Sequence, residues 1–279
     1  MTVRRPLCGL AVLGALACTP AVVVAAPPSS AAPEPAQEFA PGDPAFYDVP
    51  EPLPSGAHGD LVRWQVIDSP FSLRYRMMYL SETVAGEPML VTALVDAPDE
   101  LPPFGGNQLL LYGHSATGFD DACAPSAAID NPSVDLPATD QIESMSSDDW
   151  VVVSTDYQGL GGPGIHPLFV GVSEGRAMLD AGRAARQLPT LYVGATTALA
   201  GFEQGGHAAL WAAELAPQWT PEQSIVAAAI AAPASEIAGL AAAAVAQPQA
   251  ETLPLAIAAG LATTYPEALV GLSSVLTPA

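Results

Sequence analysis

The segment formed by residues 197–216 constrains the fold more than any other part of the chain. It reads TALAGF, then Glu203, then QGGHAALWAAELA, so an apolar strand pattern changes into a helical pattern across a single residue. A strand–turn–helix junction of the G-x-S-x-G type has this form, because its central residue takes strained backbone angles and its flanking glycines pack closely. Here Gly201 and Gly205 flank a glutamate. The segment therefore predicts a nucleophile elbow in which a carboxylate replaces the usual hydroxyl or thiol.

Apolar runs on both sides of this junction indicate an α/β fold. The first three predicted strands are separated only by short turns, which favours an antiparallel meander, and the later strands alternate with helices. Such alternation is typical of a mostly parallel central sheet with helices on both faces. Ser173 is the expected N-cap of the first long helix. We predict strands over 61–68, 72–80, 89–96, 107–113, 150–156, 197–202 and 224–233, and helices over 173–188 and 205–216.

Composition divides the chain into four segments. We predict a signal peptide over 1–26, a Pro-rich extended leader over 27–56, an α/β core over 57–233 and an Ala-rich helical segment over 234–279. In the first segment, Arg4 and Arg5 precede an apolar stretch that is too short to span a bilayer. We therefore expect secretion, in preference to a lipid anchor at Cys18.

Charge and motif spacing exclude several classes of partner. The chain has 29 acidic and 8 basic residues, the basic ones all arginine, and a net charge of −21, which would repel nucleic acid. The run GLGGPG over 159–164 matches a dinucleotide-binding pattern, but Pro163 and Pro167 prevent the helix that this pattern must open. The 4 histidines show no metal-ligand spacing. We predict neither a cofactor nor a metal.

Four blocks of sequence occur in a specific order and carry a family resemblance. They are FYDVPEPLPSGAHGDLVR, YGHSATGFDDACAPS, VVVSTDYQGLGGPGIHPLFVGVSEGRAMLDAGRAARQL and GFEQGGHAALWAAELAP, which span most of residues 46–233. Together they resemble the secretory lipase family of α/β-hydrolases. The resemblance implies an α/β-hydrolase fold with a lid and hydrolysis of acylglycerols or other carboxylic esters by a Ser, an acid and a His. A lipid or an ester is then the expected small-molecule ligand.

The resemblance also assigns roles to residues outside the nucleophile position. Oxyanion-hole donors would come from the N–H of Gln204 and from the family's H-G-T-T-G segment, represented here by His114, Ser115 and the residues after them. Asp156 and His166 lie in the matching runs DYQGLG and IHPLF. We expect these two residues to hold loops by hydrogen bonds.

Two departures from the family pattern bear on activity. Glu203 stands where the family has its serine, and no histidine follows His207, although the triad order of this fold places the histidine last. His207 lies one helical turn beyond the elbow, after Gly206, and is expected to be a packing residue. The chain ends at Ala279, near the start of the family's lid region, so we expect a C-terminally incomplete fold.

Three functional hypotheses follow from these residues. The first is a secreted lipase-type α/β-hydrolase without Ser-His-Asp turnover. The second is a non-catalytic protein that binds an acyl ligand or a partner, and the third is one half of a split hydrolase. A carboxylate nucleophile at Glu203 is disfavoured, because its attack on a carboxylic ester would give an anhydride and a base would still be needed for the second step.

Overall fold

The computed structural model describes residues 34–70, 72–129, 131, 137–145, 150–189, 191–245 and 252–267. The predicted signal peptide, with Cys18, and the start of the leader lie outside these residues. The described strands are β1 (Gln37–Phe39), β2 (Leu61–Ile67), β3 (Leu73–Glu82), β4 (Pro88–Ala97), β5 (Asn107–Gly113), β6 (Trp150–Thr155), β7 (Val193–Phe202) and β8 (Ser224–Ala231). The described α-helices are α1 (Pro125–Ala128), α2 (Pro137–Met145), α3 (Gly171–Ala185), α4 (Gln204–Trp219), α5 (Ile237–Val245) and α6 (Thr252–Thr264). Short 3₁₀ helices cover Pro44–Tyr47 and Asp121–Cys123.

The described strands form one sheet in the order β1-β2-β3-β4-β6-β5-β7-β8. Strands β2, β3 and β4 pair antiparallel, as the predicted meander requires, and β4 pairs antiparallel with β6. From β6 through β5 and β7 to β8 every pairing is parallel. The prediction of a mostly parallel sheet with antiparallel strands on its N-terminal side is confirmed.

The two faces of the sheet are covered by different helices. On β5, Leu109 and Leu111 point into the larger core, which α3 and α4 complete. The alternate residues Leu110 and Tyr112 point into the opposite core, where Ile142 of α2 packs. Helices therefore lie on both faces, as predicted.

Close packing between α3 and α4 is set by glycines on α3. A Cβ atom placed on Gly171 would lie 1.9 Å from the Trp211 indole nitrogen, and one on Gly175 would lie 2.9 Å from the Ala212 nitrogen. A side chain at either glycine would push the helices apart. The pair is thus held as one layer behind the strand that ends at the elbow.

The predicted cap of α3 is wrong. The helix begins at Gly171 rather than 173, and its N-cap residue, Val170, makes no side-chain cap hydrogen bond. Ser173 Oγ instead donates to Gln158 Oε1 at 2.6 Å. The Glu174 side chain, in the first turn, reaches back and accepts from the backbone N–H of Phe169 at 2.9 Å, just before the helix.

Some elements were not predicted from the sequence. Strand β1 lies within the leader, where it pairs in parallel with β2, and α2 has no counterpart among the predicted helices. Strand β7 begins at Val193, earlier than the predicted 197. Among the described residues after β8, Ile237–Val245 and Thr252–Thr264 are helical, and Ile257 of α6 packs on Leu168 and Phe169.

Candidate active site

The elbow is a single strained residue between β7 and α4. Glu203 has φ 56° and ψ −113°, a region that costs a non-glycine residue on the order of 1–3 kcal/mol. Its N–H donates to the Ala231 carbonyl at 3.1 Å, and its own carbonyl accepts from the N–H groups of His207 and Ala234 at 3.1 and 3.3 Å. The strain persists because hydrogen bonds from α4 and from the end of β8 hold the residue in place.

Glycines around the elbow allow backbones to meet without side chains. A Cβ atom on Gly201 would lie 2.0 Å from the Gly205 carbonyl oxygen, and one on Gly205 would lie 1.8 Å from the Gly113 carbonyl oxygen. One on Gly206 would lie 3.0 Å from the Ala231 carbonyl oxygen. Gly201, Gly205 and Gly206 therefore sit where the sequence pattern placed them, at close backbone contacts, and Gly113 is a fourth member of the set.

The Glu203 carboxylate meets the loop that follows β5. Its Oε2 accepts a hydrogen bond from the backbone N–H of Ala116 at 2.9 Å. The sequence pattern pointed to His114 and Ser115 as the donor segment, but His114 Nδ1 lies 2.7 Å from the Ser115 carbonyl oxygen, and the His114 ring is fully buried. The His114 ring is thus turned into the interior, and the N–H that donates to the Glu203 carboxylate belongs to Ala116.

Gln204, the expected second donor residue, is the first residue of α4. Its N–H is one of the helix-terminal groups that have no acceptor within the helix. Its side chain is buried and turned away from the loop, because Nε2 donates to His166 Nε2 and to Glu174 Oε1, both at 2.8 Å. These two hydrogen bonds of the Gln204 side chain hold the start of α4 in place, and the Gln204 backbone is part of the elbow.

A buried carboxylate, Glu174, organises the interior beneath the elbow. It accepts from the Phe169 N–H and the Gln204 amide through Oε1, and from His207 Nδ1 at 2.6 Å through Oε2. The Trp211 indole N–H donates to His207 Nε2 at 3.0 Å. Indole nitrogen only donates, so His207 Nε2 accepts and its proton resides on Nδ1. Both ring nitrogens of His207 are engaged inside the protein.

His166 and Asp156 hold the loops on the other side of the elbow. His166 Nδ1 donates to the Gln158 carbonyl at 2.9 Å, and burial lowers the pKa of His166. Asp156 accepts from Thr92 Oγ1 at 2.6 Å and from the N–H and hydroxyl of Ser126 at 3.0 and 2.5 Å. Burial raises the pKa of Asp156 despite these hydrogen bonds, which favour its charged form.

No histidine of the chain is placed as a base for residue 203. All 4 histidines lie in the described residues: His58 pairs with Asp180 at 2.7 Å, and the other three are bonded to the partners given above. The Glu203 carboxylate receives a hydrogen bond from Ala116 and, among the described residues, from no other group. In the residues the structure describes, no group of three or more His, Cys, Asp or Glu side chains could hold a metal ion.

Three residues important to this site were not singled out as site residues from the sequence. Ala116 carries no functional side chain, so only its place in the HSATG segment could have drawn attention to it. Glu174 is an acid in the first turn of α3, and no local pattern points to its contact with His207. Tyr157 has φ 70°, and its hydroxyl donates to the His114 carbonyl at 3.1 Å. These contacts join segments far apart in sequence.

The sheet order, the strained junction after β7 and the facing loop donor are the features of an α/β-hydrolase. Residues 139–275 match the sequence model of the Secretory lipase family. Over these residues the chain is similar to the secretory lipase family.

Individual relatives match a larger share of this chain. Lipase 7 of Candida albicans is 28% identical over 202 residues, which cover 66% of this chain and 45% of that protein. Probable inactive lipase MT1628 of Mycobacterium tuberculosis is 25% identical over 211 residues, covering 71% of this chain and 46% of that protein. The chain spans about half the length of the curated relatives it matches.

A solved structure supports the fold. Candida antarctica lipase A superposes with a TM-score of 0.65 at 22% identity, covering 83% of this chain and 55% of that chain. The α/β-hydrolase fold predicted from the sequence is confirmed. None of the helices in the described ranges is long and apolar enough to cross a membrane.

Proposed function

We propose that this chain is a secreted lipase- or esterase-type α/β-hydrolase protein that lacks serine-dependent ester hydrolysis. The observation that carries the proposal is the Glu203 carboxylate at the elbow, hydrogen-bonded to the Ala116 N–H. A negative charge there occupies a donor that an ester hydrolase reserves for the oxyanion of the reaction. The match to the Secretory lipase family model supports the ester-hydrolase lineage, and the Arg4–Arg5 signal pattern supports export.

The surrounding groups do not supply an alternative route. A nucleophile of this class needs a base within about 2.6–3.2 Å, and each histidine is bonded elsewhere. Attack by the Glu203 carboxylate on a carboxylic ester would form an anhydride with no base to activate water for its hydrolysis. The mycobacterial relative is named a probable inactive lipase, and its similarity to this chain supports the proposal.

Hydrolysis of p-nitrophenyl butyrate by the purified chain tests the proposal. We expect the wild type, Glu203→Gln and Glu203→Ser to release p-nitrophenol at the buffer rate, because serine at 203 would still have no histidine beside it. An active lipase run in parallel verifies the assay. Wild-type turnover that Glu203→Gln abolishes would overturn the proposal, and a large gain in Glu203→Ser would show that a base reaches the elbow.

A further inference from the structure

The leader closes a small cavity over the start of β2. The cavity has a volume of about 120 Å³ and lies between leader residues within 34–37 and 50–55 on one side and Leu61 and Leu80 on the other. Its charged lining residues are Glu34, Asp60 and Arg63. Strands β3, β4, β6 and β5 separate β2 from β7 in the sheet, so this cavity is far from the elbow.

The cation of the cavity is buried and incompletely hydrogen-bonded. Arg63 is 7% exposed, and the centroid of the Phe39 ring lies 4.8 Å from its guanidinium carbon. Its Nη1 donates to the carbonyl oxygens of Ala45, Phe46 and Asp48 at 3.3, 3.0 and 2.8 Å. Its Nε is buried, and no group among the described residues accepts a hydrogen bond from it. Because a buried donor without an acceptor costs about 1–3 kcal/mol or more, Nε is a strong binding group for a ligand.

A carboxylate lines the same cavity without pairing with this arginine. Asp60 Oδ2 accepts from the Ala57 N–H at 2.7 Å, and within the described ranges the Asp60 carboxylate forms neither a hydrogen bond nor an ion pair with Arg63. Opposite charges that are removed from water for stability alone are paired, because an unpaired charge loses hydration without compensation. A guanidinium and a carboxylate held apart around one cavity are arranged for a ligand that carries both charges.

The size and charge of the cavity select the ligand further. One water occupies about 30 Å³ of liquid, so the cavity of about 120 Å³ corresponds to roughly four waters, which is the scale of glycine or alanine. A simple carboxylate would be repelled by Asp60 and Glu34, and a simple ammonium ion would be repelled by Arg63. A small zwitterion avoids both repulsions.

We propose that the cavity under the leader binds a small α-amino acid of the size of glycine or alanine. The ligand carboxylate accepts from Arg63 Nε, and the ligand ammonium group donates to the Asp60 carboxylate. The site shares no residue with the elbow and does not depend on the proposed function.

Titration of the full chain with glycine tests this inference. In ¹H–¹⁵N spectra, the Arg63 Nε–H signal, assigned by its loss in Arg63→Lys, should shift saturably with glycine. Acetate carries only the carboxylate and glycinamide only the ammonium group. Each should bind at least about tenfold more weakly than glycine, because each leaves one charged contact unmade. Leucine should also bind more weakly, since its side chain exceeds the cavity.

A pair of variants tests the second contact. Asp60→Asn removes the negative charge and keeps an oxygen that accepts from the Ala57 N–H, and it should bind glycine at least about tenfold more weakly. Glu38→Gln is the matched control: Glu38 is exposed on β1 and does not line the cavity, and its substitution changes the net charge equally. This variant should bind glycine as the wild type does. If circular dichroism shows that Asp60→Asn is unfolded, the comparison of glycine, acetate and glycinamide on the wild type decides.

Three results would overturn the amino-acid site. They are no saturable shift of Arg63 Nε–H with glycine or alanine, binding of acetate as tight as that of glycine, and unchanged glycine binding by folded Asp60→Asn. Ester turnover by the wild type would overturn the proposed function and leave the glycine result standing.

Discussion

At the scale of single residues, His114 is a titratable side chain that the interior buries close to the elbow. Its ring is fully buried, and it packs 4.7 Å, centroid to centroid, from the Tyr157 ring. Burial lowers the pKa of His114 from 6.5 to about 4, since the charged form would lose its hydration. The residue at the base of the donor loop is therefore neutral at physiological pH.

This buried histidine predicts a specific loss of stability in acid. The unfolded chain takes up a proton near pH 6.5 and the folded chain only near pH 4, so the contribution of His114 is complete above pH 6.5 and falls as pH drops toward 4. We expect the free energy of unfolding of the wild type to fall by about 3 kcal/mol more than that of His114→Asn between these pH values. Urea unfolding at pH 7, 5.5 and 4 would measure it.

Comparison of the two proteins isolates His114 from the other titrating groups. Asp156 and Asp180 have pKa values raised by burial, and they change stability in the opposite direction over part of this range. Both proteins share them, so they cancel in the difference. Parallel pH curves for the wild type and His114→Asn would contradict the prediction.

How much of the site the sequence predicts depends on the separation of its residues. Glu203, Gly201 and Gly205 lie within a single strand–turn–helix segment, and a local pattern identifies them. Ala116 reaches Glu203 across 87 positions, and Glu174 reaches His207 across 33. These partners are selected by tertiary packing, which leaves no periodic trace in either segment.

At the scale of elements, the decisive contact is between the start of α4 and the end of β5. Gly205 and Gly113 meet backbone to backbone, and this contact places the helix N-terminus over the strand. Residues of β7 pair with β5 up to Gly113↔Gly201, so one short region fixes two strands and a helix. The geometry of the elbow follows from this junction.

A methyl group at this contact should be costly. Gly205→Ala would place Cβ 1.8 Å from the Gly113 carbonyl oxygen, a backbone atom that cannot move away alone. We expect a loss of about 3 kcal/mol or more in the free energy of unfolding, at the upper end of overpacking effects. Thermal and urea unfolding would measure it.

A second helical glycine provides the control. A Cβ atom on Gly239, exposed on α5, would meet only the Glu236 Cβ at 3.9 Å. Gly239→Ala should leave stability unchanged or raise it by up to about 1 kcal/mol through helix propensity. Equal effects of the two substitutions would show that the Gly205 contact does not constrain the fold.

The same scale explains which elements were predicted. Strands β2 to β6 and helices α3 and α4 have strong apolar patterns over seven or more residues in most cases, and their positions follow from those patterns. Strand β1 has 3 residues within a Pro-rich stretch, and it is a strand only because Gln37 lies opposite Arg63 of β2. A strand as short as β1 is defined by the strand with which it pairs, and its own sequence carries no pattern that identifies it.

At the scale of the whole molecule, β8 is the outer strand of the sheet among the described residues. Its sequence, SIVAAAIA, carries no charge, and most of its residues are exposed. Val226 is 59% exposed and lies opposite the register shift between Thr197 and Ala198 of β7. An uncharged apolar edge of this kind is a template for pairing with another chain.

A charge on this edge should reduce association. We expect Val226→Lys to lower the aggregated fraction at high protein concentration, with a change in the free energy of unfolding below about 0.5 kcal/mol. Light scattering after size-exclusion chromatography would measure the fraction.

Leu101→Lys is the matched control, because Leu101 is 96% exposed and lies in a loop. Both substitutions bring the net charge closer to zero, which by itself promotes association. A lower aggregated fraction for Val226→Lys than for Leu101→Lys would therefore come from the charge on the β8 edge. A similar decrease in the aggregated fraction of both variants would argue against β8 as the surface through which chains associate.

The backbone origin of the elbow also has an evolutionary consequence. The turn at residue 203 is imposed by neighbouring glycines and by hydrogen bonds from main-chain atoms, so folding does not require a serine there. Selection for a folded chain alone would not act on the side chain at this position, and only selection for catalysis would favour a particular residue there. A lineage can thus lose its chemistry in one position while it inherits the architecture intact.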